Sequence, residues 1–283
     1  GTYSCTITDG NNCSYTVSNI IVGEPTLLTS SIIYEDSVSC YGLSDGSSQV
    51  EGLDGTPGYT YVWNNGQTGP TLQNIIAGTY SCTITDANGC TTIQSVTIEE
   101  PDELIATLIS VNNISCNGLS DGSASVSVSG GNGINNYIWD PFNSGSGSLA
   151  SGLALGSYFC TVVDQYGCSD VSNTITITQP DSISATLNTI DVSCNGGNDG
   201  SATVTPSGGT GNYTYSWSPS GGSASTATAL TAGTYSCTIT DVNNCSYTVS
   251  NIIINEPTAI SSTWSTIDVS CNGGNDGSAT VTP

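Results

Sequence analysis

The sequence predicts an all-β protein made of tandem immunoglobulin-like β-sandwich repeats of about 77 residues, stacked end to end as a rod. Three observations carry this expectation. First, the opening text Gly1–Asp9 returns at Gly78–Asp86, loosely at Gly156–Asp164 and nearly unchanged at Gly233–Asp241, the signature of a repeat architecture. Second, short runs rich in Val, Ile, Thr and Tyr lie between Gly, Asn and Asp turns, and no stretch keeps a helical apolar period. Third, an aromatic row ending in Trp63, Trp139 or Trp217 stands in the middle of each full repeat.

The boundaries come from Glu-Pro or Gln-Pro pairs at Pro25, Pro101, Pro180 and Pro257. Cutting after them gives the C-terminal part of a repeat (1–25), full repeats 26–101, 102–180 and 181–257, and the N-terminal part of another (258–283), so the chain is expected to begin and stop inside repeats. In the third full repeat the first strand carries Ile183, Ala185 and Leu187, then shifts phase to Ile190, Val192 and Cys194. Because side chains alternate faces along a strand, a one-residue shift turns the inward set over, so a bulge or a strand that changes sheet is expected there. Trp264 occupies the place of Leu187 and reads as core. A second strand carries Ala202 and Val204 and ends at Gly208-Gly209. Tyr213, Tyr215 and Trp217 then fall on one face, and a variable Gly/Ser/Thr-rich connection follows. Tyr235, Cys237 and Ile239 point one way, Asp241–Asn244 reverses the chain, and Cys245–Ile254 returns as the last strand. A last strand of that length makes each repeat roughly 35 Å long.

Composition narrows function sharply. There are 23 acidic residues and no Lys, Arg or His, for a net charge of -23. Nucleic-acid binding, which draws on cations to neutralise phosphate, is excluded, as are Walker-type phosphate cradles, His-dependent nucleophiles and Lys Schiff bases. The apolar runs are far too short to cross a bilayer as helices, so no membrane insertion is expected. Twelve Cys without His indicate disulfides and an oxidising, extracellular setting.

The strings Ser193–Val204, Gly208–Trp217 and Gly233–Asp241 closely resemble the SprB repeat, found in very large cell-surface adhesins of gliding Bacteroidota. The resemblance covers essentially the whole chain. It implies a secreted, surface-displayed filament, exported by the type IX system and moved by the gliding machinery, with neighbouring repeats of the same chain as partners. The family's usual repeat has two Cys, at the places of Cys194 and Cys245, so the third, at Cys237, is a departure.

Each full repeat holds three Cys: 40, 82 and 90; 116, 160 and 168; 194, 237 and 245. By phase all three face inward. The expected bonds are Cys40–Cys90, Cys116–Cys168 and Cys194–Cys245, tying first strand to last within a repeat, with Cys82, Cys160 and Cys237 left as buried thiols. The alternative joins each last-strand Cys to the next repeat's first-strand Cys, as in Cys90–Cys116 and Cys168–Cys194. Asp45, Asp121, Asp199 and Asp276, each before a Gly, have two readings: turn residues that bond their own backbone, or Ca²⁺ ligands; no other cofactor is expected. Ser37 and Ser182 sit in Asp-Ser-aliphatic triplets of the kind that accept O-glycans in these bacteria. The function expected is a non-catalytic stalk segment of an adhesin filament. The alternatives are a multivalent module that binds a glycan or an external surface through loops 64–71, 140–151 and 218–229, and a sheath or pilus-like filament.

Overall fold

A computed structural model describes residues 1–141 and 147–283; residues 142–146, within the variable connection expected at 140–151, lie outside the described residues. Every element among the described residues is a β-strand. The N-terminal fragment forms the hairpin β1 (Thr2–Thr8) and β2 (Ser14–Ile21). The first full repeat has β3 (Thr29–Asp36), β4 (Gly46–Leu53), β5 (Thr60–Trp63), β6 (Thr71–Ile75), β7 (Gly78–Thr85) and β8 (Thr91–Ile98). The middle repeat has β9 (Ile105–Asn112), β10 (Gly122–Ser129), β11 (Asn136–Asp140), β12 (Leu149–Leu153), β13 (Gly156–Val163), β14 (Ser169–Val171) and β15 (Ile175–Ile177). The third has β16 (Ser184–Ile190), β17 (Gly200–Ser207), β18 (Thr214–Ser218), β19 (Thr226–Leu230), β20 (Gly233–Thr240) and β21 (Ser246–Ile254), and the C-terminal fragment forms the hairpin β22 (Thr263–Ile267) and β23 (Ser278–Thr282).

Each full repeat contributes two sheets. They run β3-β4-β6 and β5-β7-β8 in the first, β12-β10-β9 and β11-β13-β14 with β15 also on β13 in the middle, and β16-β17-β19 and β18-β20-β21 in the third. The ladders of the third repeat are all antiparallel. Alternation does the burying. On β17, Ala202 and Val204 face in; on β20, Tyr235, Cys237 and Ile239; on β21, Ile252 and Ile254, all in one core with Trp217. The first repeat repeats the arrangement with Val50, Trp63, Cys82, Ile84, Val96 and Ile98. Each central Trp is buried and its indole N–H donates to a backbone carbonyl: Trp63 to Gly69, Trp139 to Gly147 and Trp217 to Ala224.

The phase shift of the first strand has a direct cause. Past the end of β16 the chain leaves its sheet, and the Val192 N–H donates to the Asn255 carbonyl, just beyond β21 of the other sheet. Val38 does the same to Glu99 and Ile114 to Thr178. In the first repeat a bulge between Ile32 and Tyr34 adds to the turn-over. One core expectation fails: Leu187 lies opposite the buried Val204 on the inner face of its strand pair and is 43% exposed, whereas Trp264, opposite Val281, is 74% exposed in the two-stranded hairpin β22–β23, all of whose residues are exposed. Gly208 is required where β17 ends. Its φ is +77°, and a Cβ there would lie 2.1 Å from the Ser182 carbonyl oxygen.

Two compact units divide the chain: Gly1–Ile109 with Val126–Ser148 and Phe159–Asn173, and Ser110–Ser125 with Leu149–Tyr158 and Thr174–Pro283. Each unit contains one disulfide, Cys40–Cys168 in the first and Cys116–Cys245 in the second.

Candidate functional site at the repeat junction

The junction has two halves, each made by local hydrogen bonds. The first is the loop after the opening strand. Ser115 donates its N–H, at 3.0 Å, and its hydroxyl to the Asp121 carboxylate, closing a loop that presents Cys116. Ser39 and Asp45 close the corresponding loop of the first repeat at 3.0 and 2.5 Å. Ser193 with Asp199, and Ser270 with Asp276, repeat the backbone bond at 3.0 Å. The Ser hydroxyl, then the Ser N–H, holds each of these four carboxyls below its ordinary pKa. The loop is pinned to the repeat's exit: Asn117 donates to the Pro180 carbonyl and Asn195 to that of Pro257.

The second half is the turn before the last strand. Asp241 Oδ1 accepts the N–H groups of Asn243 and Cys245, both at 2.9 Å, and Oδ2 accepts that of Thr210 at 2.9 Å. Asp86 makes the same set with Asn88, Cys90 and Thr56, and Asp164 with Tyr166, Cys168 and Asn132. The Thr56 N–H, first among its donors, lowers the pKa of Asp86. For Asp164, burial pushes upward, but the N–H groups of Asn132, Cys168, Tyr166 and Gly167 outweigh it and the net shift is down. Backbone donors therefore replace the cations this chain lacks. The turn is held at the entrance of its repeat, where the Gly209 N–H donates to the Asp181 carbonyl.

Cystines join the halves of successive repeats. Cys116 of the middle repeat bonds Cys245 of the third, with Cα atoms 5.6 Å apart, and Cys40 of the first bonds Cys168 of the middle at 5.5 Å. Beside the second bond, the Asn243 side-chain amide donates to the Ser115 carbonyl at 3.0 Å, and Cys245 Sγ packs 3.4 Å from that oxygen. Cys168 Sγ lies 3.2 Å from the Ser39 carbonyl in the same way.

Both pairing schemes read from the sequence are thereby corrected. Cys40–Cys90, Cys116–Cys168 and Cys194–Cys245 fail because each loop Cys sits by the exit of its repeat and each last-strand Cys by the entrance. Val192 meets Asn255 at the far end of β21 from Cys245, and a nine-residue strand spans about 30 Å, several times the reach of a disulfide. Cys90–Cys116 and Cys168–Cys194 fail for the converse reason: they run from an entrance to the exit of the following repeat, while Cys116 and Cys168 are already bonded elsewhere. Cys82, Cys160 and Cys237 are buried and unbonded, with thiol pKa values pushed up by desolvation, and Cys168 is buried at its disulfide. Cys5, Cys13, Cys90, Cys194 and Cys271 are exposed and unbonded.

Asp45, Asp121, Asp199 and Asp276 each stand as one carboxylate per loop, engaged by a Ser. No group of three or more acidic or Cys side chains forms a metal-binding cluster among the described residues, so the calcium reading gains no donor set from the fold. Ser37 and Ser182 are both exposed.

The SprB repeat family matches the chain four times, at residues 36–68, 108–143, 186–224 and 263–283, once in each full repeat and once in the C-terminal fragment. The chain thus carries four SprB-repeat matches. No curated protein matches the sequence. Among solved structures it is similar to Sidekick-1 immunoglobulin domains 1–5, with 14% identity, a TM-score of 0.36, and coverage of 88% of this chain and 65% of that one. It is also similar to the N-terminal eight Ig domains of Down Syndrome Cell Adhesion Molecule isoform 1.30.30, with 14% identity, a TM-score of 0.33, and coverage of 90% of this chain and 46% of that one. The chain thus spans less than two thirds of either. SprB repeats and two disulfides point to an extracellular or cell-surface protein.

Proposed function

We propose that this chain is a load-bearing, non-catalytic stalk segment of a large secreted adhesin filament, displayed on the cell surface by the type IX system and drawn along by the gliding machinery. One observation carries the reading: covalent bonds join each full repeat to the next, at the junctions where a tandem array would otherwise hinge. The SprB-repeat matches support the adhesin class, and the absence of Lys, Arg and His removes most catalytic chemistries. Uniform negative charge gives neighbouring filaments the same sign and disfavours lateral bundling, which favours a single projecting stalk over a sheath. In this reading the repeats transmit force, and adhesive contacts belong to other parts of the filament.

The test is binding by the intact 283-residue chain to glycan arrays and to hydrated glass and polymer surfaces. A stalk gives no saturable binding above a charge-matched control. Saturable binding that is lost on altering loop 64–71 or 218–229 would overturn the proposal in favour of a multivalent adhesive module.

A further inference from the structure

Four of the five exposed, unbonded Cys fall into two structural types, Cys5 on β1 standing apart, and the chain itself shows what each type bonds to. Cys90 lies in the entrance turn of the first full repeat, and its N–H is held by Asp86 as that of Cys245 is by Asp241. Asn88 stands where Asn243 stands, its amide held by Thr56 at 2.7 Å as Asn243's is by Thr210 at 3.2 Å. Cys13 has the same turn, with Asp9 accepting the N–H groups of Asn11 and Cys13 at 2.9 Å. Cys194 and Cys271 belong to the other type. Their loops are closed on Asp199 and Asp276, and their carbonyls accept the N–H of Gly197 and Gly274 at 2.9 Å.

A second observation shows the loop type to be half of a joint. Beside Cys194 runs an open groove of about 500 Å³ lined by Ser193, Asn195, Pro257, Ala259 and Ile260. Its counterpart at Cys116, with Asn117, Pro180 and Ile183 on the same side, has Gly209, Cys245 and Tyr247 of the following repeat as its opposite wall. The wall opposite Cys116 is an entrance turn bearing Cys, and the groove at Cys194 is lined by the same loop and exit elements.

We propose that Cys13 and Cys90 on one side, and Cys194 and Cys271 on the other, are complementary coupling halves, each forming a disulfide with the opposite type on a further repeat of this family. Each bond forms as one turn thiol and one loop thiol give up two protons and two electrons to a disulfide oxidant, whose own S–S bond is cleaved to two thiols. The Asn amide and the Ser carbonyl orient the pair, so turn does not couple to turn, nor loop to loop. A second copy of this chain supplies both types and serves as the partner in the test.

Two variants separate the halves. Cys5→Ser/Cys13→Ser/Cys90→Ser keeps only loop-type thiols exposed, and Cys5→Ser/Cys194→Ser/Cys271→Ser keeps only turn-type thiols. All substituted positions are exposed, and retention of Cys40–Cys168 and Cys116–Cys245 is verified by peptide mass mapping. Each variant alone, and an equimolar mixture, is equilibrated in reduced and oxidised glutathione, quenched with acid and resolved without reductant. The expected result is a cross-linked heterodimer exceeding either homodimer about tenfold, the ratio one oriented hydrogen bond supplies. Its mapped bonds run from Cys13 or Cys90 to Cys194 or Cys271. Homodimers in comparable yield, or no cross-link between thiols that alkylate freely, would overturn the proposal.

Discussion

Removing Cys116 and Cys245 together should lengthen the fully stretched chain by little, and the small size of that gain is diagnostic. With both cystines intact, tension on the unfolded chain follows its shortest covalent path. That path runs from residue 1 to Cys40, across to Cys168, backward to Cys116, across to Cys245 and on to 283. It contains about 130 residues, or roughly 430–470 Å at full extension. In Cys116→Ser/Cys245→Ser only the Cys40–Cys168 shortcut is left, and the path grows by about 25 residues, roughly 85 Å. Bonds closed within each repeat would instead release about 100 residues, roughly 350 Å, because two separate loops would open. Single-molecule force extension of the chain, tethered at its ends with and without reductant, reads this contour length directly. A gain near 350 Å would refute the forward pairing between repeats, and no gain would refute a load-carrying Cys116–Cys245 bond. The wild-type chain cannot distinguish the two schemes by reduction alone, since both give nearly the same intact path; the double variant is what separates them.

Two further outcomes test the local devices. Gly208→Ala should destabilise the third repeat by more than about 1 kcal/mol in denaturant melts, since the new methyl meets the Ser182 backbone at a φ of +77°. A loss within error would mean the β17 exit is not fixed as described. Because the folded pKa values of Asp45, Asp121, Asp199 and Asp276 are depressed, their contribution is present above the unfolded carboxylate value and lost as pH falls through the lower folded one. Thermal midpoints should therefore drop on acidification from about pH 5 to 2, and Asp121→Asn should flatten that dependence. An unchanged slope in the variant would show that the Ser115 bonds do not tie the carboxylate charge to folding.

The strands, their order and the buried Trp rows were legible because alternation and turn residues are local signals, and the repeat supplied each of them several times. Ala202 and Val204, or Tyr235, Cys237 and Ile239, announce an inward face without reference to anything distant. The disulfides were not legible by the same means. Phase places Cys194 and Cys245 on strands that meet, yet they belong to opposite ends of that meeting, and only the Val192–Asn255 pairing fixes which end. The local partners carry the distinction: Cys116 lies in a loop whose Asn117 reaches the exit proline Pro180, and Cys245 lies in the turn at the entrance of its own repeat, against the exit of the preceding one. Trp264 is exposed for a different reason: its hairpin β22–β23 stands as a two-stranded sheet with every residue exposed.

Overlap of the two cystine loops has a consequence for wear. Cys40–Cys168 and Cys116–Cys245 together bracket every peptide bond from residue 40 to 245, and both bracket those from 116 to 168. A single backbone cut anywhere in that span leaves the two pieces covalently joined. Within that span a surface polymer exposed to proteases parts only after three cuts, one in each of the stretches 40–116, 116–168 and 168–245, as a laddered stocking holds until neighbouring threads have also gone.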